Sequence, residues 1–349
     1  MEDNKKNRKK KKRKLKGWTK ALLVMLHVVV FVSILIVVLN GVYKSYYSKM
    51  NYEEVPQRTE LGRGARRILE GDLETLMWSD HVYNILLIGH DTGLRANTGR
   101  SDAMILVSIN KERETLIMTS FMRDSYVHIP GHGADRLNQA YMEGGASLLI
   151  ETLELNFGVR IDNYAAIDVF AFIDVIDALG GLEITINEEE VENMNHYIRQ
   201  LNKAEGNPRN THLLSAAGTY HMNGIQTVAF CRCRYAGNSD FERTERQREV
   251  LSLLLNEFKE SDISELNAAL NVVLPSVTTD VDRETMLKLM TNAVMSYLDY
   301  QLVQYRIPYD GSYEDFSPDD DKQVLSIDIG LNREYLIDKI YGVYIEKDE

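Results

Sequence analysis

Asn84-Ile85-Leu86-Leu87-Ile88-Gly89 opens the stretch that decides the fold, which runs on to Tyr141. The run is too short for a helix and ends on a glycine, as a buried strand does. Asp91 follows at once, where a strand gives way to a loop. A second carboxylate stands in Gly99-Arg100-Ser101-Asp102, just ahead of another strand-like run from Ala103 to Ile109. A third run, Thr115 to Met122, ends in Arg123-Asp124. Three apolar strands thus each begin or end beside a charged residue, and open sheets place ligands where strands meet loops.

Downstream, helix and strand signals alternate. Gly144 to Phe157 carries leucines at helical spacing and is stopped by Gly158. Tyr164 to Ile167 is strand-like, Val169 to Leu179 has an apolar helical stripe ending at Gly180-Gly181, and Leu182 to Ile186 alternates again. Strand, helix, glycine turn and strand make a βαβ-like unit and point to an α/β fold. The acidic segment Asn187 to Asn210 reads as an exposed excursion. In the last ninety residues the spacing predicts a helix from Asp280 to Tyr297 opened by Thr279 or Asp280. Strands are expected at Val303–Ile307 and Val324–Ile329, and a final helix capped by Asn332.

A second charged region spans Ala229 to Arg248. If Phe230 to Tyr235 is extended, Arg232 and Arg234 project together on one side. Adjacent guanidiniums repel unless an anion sits between them, and their forked donors suit phosphate oxygens. Ser239 or Asp240 is a candidate N-cap for a helix from about Phe241 to Lys259, with Val250, Leu251, Leu254, Leu255 and Phe258 on its apolar side. Arg243 and Arg246 fall in its first turns, where a cation opposes the helix dipole unless an anion is held there. Arg243 and Gln247 share a face. The alternative is a solvated face with Glu242, Glu245 and Glu249 as ion-pair partners.

The N-terminus has a different character. Eleven of the first twenty residues are Lys or Arg, and Trp18 to Leu39 then gives 22 residues with Lys20 as the only charge. As a helix these would span about 33 Å, enough to cross a bilayer. The positive-inside rule places residues 1–17 in the cytoplasm and the chain after about residue 41 outside. Setting aside the first twenty residues, 29 basic residues face 50 acidic ones, a surface that repels nucleic acid. Cys231 and Cys233, alone in the chain, form neither a zinc pattern nor a favourable disulfide and read as packed apolar residues. No Gly-x-Ser-x-Gly, Walker loop or Cys/His nucleophile pattern occurs, so acyl transfer and nucleotide hydrolysis lack support.

The motifs together resemble the LytR-CpsA-Psr family of cell-wall phosphotransferases. Its pattern is matched by Gly89-His90-Asp91, by Arg100-Ser101-Asp102, by Arg123-Asp124-Ser125-Tyr126-Val127-His128-Ile129-Pro130-Gly131, and by Asn138-Gln139-Ala140-Tyr141 before Gly144-Gly145. Asp177 to Leu182 and the run from Arg232 to Gln247 extend it, so that the resemblance covers about Val82 to Leu255. Two departures are Ser120-Phe121-Met122 where Ser-Ile-Pro is usual and Arg136 where a lysine is common.

The resemblance implies an α-β-α sandwich around a central mixed sheet. The chain then divides into a basic tail (1–17), a transmembrane helix (18–39), a stalk (40–80) and a catalytic domain (81–345). It also implies transfer of a glycopolymer, such as wall teichoic acid or capsular polysaccharide, from a polyprenyl-pyrophosphate carrier to peptidoglycan outside the membrane. Asp91 and Asp102 suit Mg²⁺, which prefers one or two carboxylates plus phosphate oxygens. Arg123, Arg232, Arg234 and Arg243 are the expected catalytic cations, with Asp124 orienting Arg123 or acting as base. Arg100, Arg136, Arg246 and Gln247 are expected to bind substrate. The rival expectations are a hydrolase of the same lipid-linked substrate and a noncatalytic lipid-binding or regulatory membrane protein.

Overall fold

A computed structural model describes residues 44–53, 76–91, 99–234, 239–261, 263–319 and 322–342. The expected basic tail and transmembrane span, and most of the stalk, lie outside them. Among the described residues, no helix is long and apolar enough to cross a membrane.

In chain order, strands β1 (Asn51–Tyr52), β2 (Val82–His90), β3 (Ser101–Asn110) and β4 (Thr115–Phe121) precede a hairpin of β5 (Ser125–Ile129) and β6 (Gly133–Arg136). Helix α1 (Leu137–Phe157), β7 (Asn163–Asp168), α2 (Val169–Ala178), β8 (Leu182–Ile186), α3 (Glu188–Glu205) and β9 (Gly218–Met222) follow. Then come α4 (Gly224–Arg232), α5 (Ser239–Glu260), α6 (Ile263–Val273), β10 (Val277–Thr279) and α7 (Arg283–Met295). The chain closes with β11 (Gln301–Ile307), β12 (Tyr313–Asp319), β13 (Lys322–Ile327) and α8 (Ile329–Tyr341).

The central sheet has the order β1-β10-β7-β2-β3-β4-β11. It is mixed: β2 pairs parallel to β7 and antiparallel to β3, and β4 pairs parallel to β11. Alternation along β2 explains the layering, because successive side chains face opposite sides. Val82, Leu86 and Ile88 are buried against Leu149, Leu153 and Phe157 of α1 and Leu336 and Ile340 of α8. Tyr83 and Ile85 look the other way, toward Leu289 and Ala293 of α7. Helices therefore cover both faces of the mixed sheet. Each fully buried aliphatic side chain contributes roughly 1.5–3 kcal/mol.

Several expectations are corrected. The helix expected from Gly144 begins at Leu137, and Gly145, at φ 63°, kinks it, which only a glycine does cheaply. The acidic segment from Asn187 is no excursion. Asn187 and Glu190 form a capping box for α3, whose Met194, Ile198 and Leu201 pack into the core beneath β8 and β9. Its exposed Glu188, Glu189 and Glu192 mask the amphipathic spacing in a composition-based reading, whereas Glu190 is buried. Of the stretch expected to be extended, Phe230 to Arg232 is helical, because α4 reaches Arg232, opened by an Asn223–Gln226 capping box, and Tyr235 lies outside the described residues. Cys231 and Cys233 are buried free thiols. Asp282, rather than Thr279 or Asp280, caps α7, and Asp328 caps α8. Asn332 instead accepts from the Tyr309 amide and the Ser312 hydroxyl within the core.

The turn into α4 is tightly constrained. The Gly224 amide donates to Asp177 Oδ1 at 2.7 Å, and a Cβ there would lie 2.3 Å from the Ile173 carbonyl oxygen. Gly224→Ala is expected to destabilise the protein by about 1–3 kcal/mol, measured by chemical denaturation. An unchanged midpoint would contradict this α2–α4 contact.

Candidate active site

Asp91 just past β2, the start of β3 and the residues after β4 meet the N-terminal part of α5 around one cavity. There a polar cavity of about 340 Å³ is lined by Asp91, Arg100, Asp102, Arg123, Asp124 and Arg136 from the early part of the chain. Arg232, Arg234, Arg243 and Gln247 line it from much later in the chain. The two charged regions of the sequence thus converge.

Local structure explains how each is held. The Asp91 carboxylate accepts from the Arg100 amide at 3.0 Å, tying the ends of the loop between β2 and β3 together. Asn193 of α3 clasps the Arg234 backbone, its Oδ1 accepting from the amide at 3.0 Å and its Nδ2 donating to the carbonyl. Arg136 donates to the Gln323 carbonyl at 2.6 Å and lies 3.5 Å from Asp124. Gln247 donates to the Asp102 carbonyl at 3.5 Å.

The cations are bound into one network. Arg123 contacts Asp102 at 2.7 Å, Asp124 at 3.3 Å and Asp240 at 3.7 Å. Asp240 also meets Arg234 at 3.1 Å and Arg243 at 3.3 Å, so a single carboxylate joins three guanidiniums. Arg243 is only 3% exposed, yet its Nε and Nη1 have no hydrogen-bond acceptor among the described residues. Arg232 has no carboxylate partner among the described residues and lies over the Tyr197 ring at 5.6 Å. Buried cations cost several kcal/mol unless paired and hydrogen-bonded. Six lining arginines against Asp91, Asp102, Asp124 and Asp240 leave positive charge for an anion to neutralise.

The carboxylates diverge in proton affinity. Burial, a hydrogen bond with Asp124 and that residue's charge push Asp240 up to about 6, against the pull of Arg123 and Arg234. Asp124 goes the other way: burial opposes its ionisation, but the hydrogen bond from Asp240 and the charges of Arg123, Arg136 and Arg234 hold it below the usual carboxylate range. A pair sharing one proton divides in this manner.

One predicted contact is corrected. Arg246 does not line the cavity. It points into the helical layer, 2.9 Å from Glu190, 3.1 Å from the Cys233 carbonyl and 3.4 Å from Glu242. Being one position before Gln247, it is turned about 100° from the cavity-facing line of Arg243 and Gln247. Four lining residues went unrecognised in the sequence: Asn138 of α1, and His196, Tyr197 and Gln200 of α3. Asn138 stands in the Asn138-Gln139-Ala140-Tyr141 motif without a site role assigned to it, and the signal for the other three is helical spacing in a segment read as exposed. Asp240 had been read only as a possible cap.

Beside the polar cavity lies an apolar one of about 280 Å³, walled by Leu87, Ile105, Ala165, Ile167, Phe172 and Leu251 among others. Asp91, Asp102, Arg232 and Gln247 belong to both linings. A charged head and a hydrocarbon tail of one ligand can therefore be accommodated side by side. Among the described residues no cluster of three or more His, Cys, Asp or Glu has metal-holding geometry. Asp91 and Asp102 supply hard oxygen donors at the junction and fit a cation whose remaining ligands come from phosphate and water.

The LytR_cpsA_psr family model matches residues 44–321. A polyisoprenyl-teichoic acid–peptidoglycan teichoic acid transferase, TagT of Bacillus subtilis (strain 168), is 31% identical over 264 residues, 74% of this chain and 75% of the relative. Biofilm regulatory protein A of Streptococcus mutans is 31% identical over 314 residues, 84% of this chain and 72% of that protein. The solved structure of TagT bound to LI-WTA superposes with a TM-score of 0.59 at 25% identity, covering 80% of this chain and 96% of that one. With the family model matched from residue 44 to residue 321, the chain belongs to the LytR_cpsA_psr family.

Proposed function

We propose that the protein is a phosphotransferase that moves a glycopolymer from a polyprenyl-diphosphate carrier to peptidoglycan, in the manner named for its TagT relative. The observation that carries this reading is the junction of an arginine-lined cavity with an apolar one, sharing Asp91, Asp102, Arg232 and Gln247. A diphosphate fits the first and its prenyl chain the second. A nucleotide would leave the apolar wall unfilled, and a neutral lipid would leave the buried Arg243 Nε without a hydrogen-bond acceptor among the described residues.

In the proposed reaction an acceptor hydroxyl attacks the sugar-linked phosphorus, the bond to the bridging oxygen breaks, and polyprenyl phosphate leaves. Charge spreads over the phosphoryl oxygens in such transfers, so preorganised cations lower the barrier. Arg123, Arg232 and Arg243 are assigned to that charge, with Arg234 held beside them by Asp240. Arg100 and Arg136 contact the outer phosphate oxygens. Asp124 orients Arg123 and Arg136, consistent with its low proton affinity. Asp91 and Asp102 would hold Mg²⁺, which supplies further neutralisation of the phosphates when bound. A membrane anchor at residues 18–39, with the catalytic domain outside the cell, would keep the enzyme beside a donor confined to the same bilayer.

Arg123→Ala and Arg243→Ala are each expected to lower transfer from a polyprenyl-diphosphate donor by about 10²–10³-fold, measured as acceptor-linked product, while thermal unfolding shows a folded protein. Near-normal transfer in both variants would refute the site.

The Asp240 carboxyl gives a second test. Its charge appears as pH rises through about 6, which makes the cavity one unit less positive. Affinity for a diphosphate diester, which does not itself titrate there, is therefore expected to fall as pH rises through that value. Asp240→Asn should flatten the dependence. Both proteins are compared in a His196→Gln background, because His196 lines the same cavity. Calorimetric titration that shows the same slope in both proteins would contradict the assignment.

A further inference from the structure

A third cavity, of about 430 Å³, shares Asp124 with the arginine-lined one. Its floor is Met122, Asp124 and the start of α5 at Asp240 and Phe241. Its wall is the β12–β13 hairpin, through Asp315, Phe316, Val324 and Leu325. The hairpin is fixed in place, since the Leu325 amide donates to the Asp124 carbonyl at 2.9 Å and β13 pairs parallel with β5.

Two properties separate this cleft from the donor site and a third joins it to that site. Its lining holds the carboxylates of Asp124, Asp240 and Asp315 and no arginine or lysine among the described residues. Phe316 is 45% exposed, with its ring braced edge-on by Tyr126 at a centroid distance of 5.9 Å. An aromatic face left open beside carboxylates suits the C–H face of a sugar ring, whose hydroxyls the carboxylates accept. Finally, Asp124 lines both this cleft and the arginine cavity, so that anything seated here ends at the reacting phosphates.

We propose that this cleft is the acceptor subsite, where a glycan strand stacks a sugar on Phe316 and delivers a hydroxyl past Asp240 to the donor diphosphate. The inference rests on the transferase reading above and adds to it where the second substrate binds. In the step it serves, the glycan oxygen forms a bond to the sugar-linked phosphorus while the bond from that phosphorus to the bridging oxygen breaks. The hydroxyl proton passes to the Asp240 carboxylate, and polyprenyl phosphate departs with the electron pair. Asp240 then returns the proton to solvent. The hydrogen-bonded Asp124–Asp240 pair is suited to hold that proton transiently between the two cavities.

The test is steady-state kinetics of the full chain in detergent, with a polyprenyl-diphosphate N-acetylglucosamine donor and uncrosslinked peptidoglycan glycan strands as acceptor. Phe316→Ala and Asp315→Asn alter exposed side chains outside the arginine cavity. Each is expected to raise the half-saturating acceptor concentration, by about tenfold for the loss of an aromatic contact at Phe316, with the donor constant unchanged. Asp240→Asn is expected to lower kcat at saturating donor and acceptor. If wild type transfers but both cleft variants keep its acceptor constant, the cleft is not the acceptor subsite and the transferase reading survives. If wild type releases polyprenyl phosphate at the same rate with or without glycan and forms no glycan-linked product, the transferase reading falls and the subsite with it.

Discussion

Asp240 and the three guanidiniums it joins are the interaction on which the site depends. Arg123 comes from the end of a sheet strand, Arg234 from the residues just past α4, and Arg243 from the second turn of α5. Without a common carboxylate, cations from three elements would repel one another within a partly desolvated space. With it they stand close enough to act on a single diphosphate. One carboxylate does not satisfy them all, however. Arg243 remains buried with unfilled donor positions, and that incomplete compensation is what gives the cavity its appetite for an anion.

The placement of that charge beside hydrocarbon follows from the sheet. Alternation along β2 sends Leu86 and Ile88 into the core under α1 and α8, and sends Leu87 to the opposite face, where it walls the apolar cavity. The same strand then delivers Asp91 to the junction. One pleated element thus contributes both to a hydrocarbon wall and to a polar rim. The helical layer of α2, α3, α4 and α5 closes the remaining sides, and Arg246, paired with Glu190, locks α5 to α3 so that Arg243 and Gln247 face the cavity.

Much of this was legible before the coordinates. Short apolar runs ending in charged residues marked β2, β3 and β4, because a buried strand needs continuous apolar sequence and the sheet edge tolerates charge. The spacing of the arginines at 232, 234 and 243 left a solvated, ion-paired face open as an alternative, and the family resemblance singled them out, although the backbone around Arg232 differs from the extended one expected. Arg232 and Arg234 were expected on one face of a strand. They sit instead at and just beyond the end of a helix whose capping box, Asn223 with Gln226, was overlooked, and they reach the same cavity by a different geometry. What stayed hidden depended on tertiary packing. The buried face of α3 was masked by its glutamates, so His196, Tyr197 and Gln200 were invisible as site residues. Asp240 resembled a simple helix cap, and only the fold brings it against cations from two other elements.

A crystal structure of the protein with a polyprenyl diphosphate tests the central claim most directly. The account predicts diphosphate density in contact with Arg123, Arg232 and Arg243, with the prenyl chain running past Leu87 and Phe172 into the apolar cavity. Density for the lipid elsewhere, or a diphosphate held without these arginines, would contradict it.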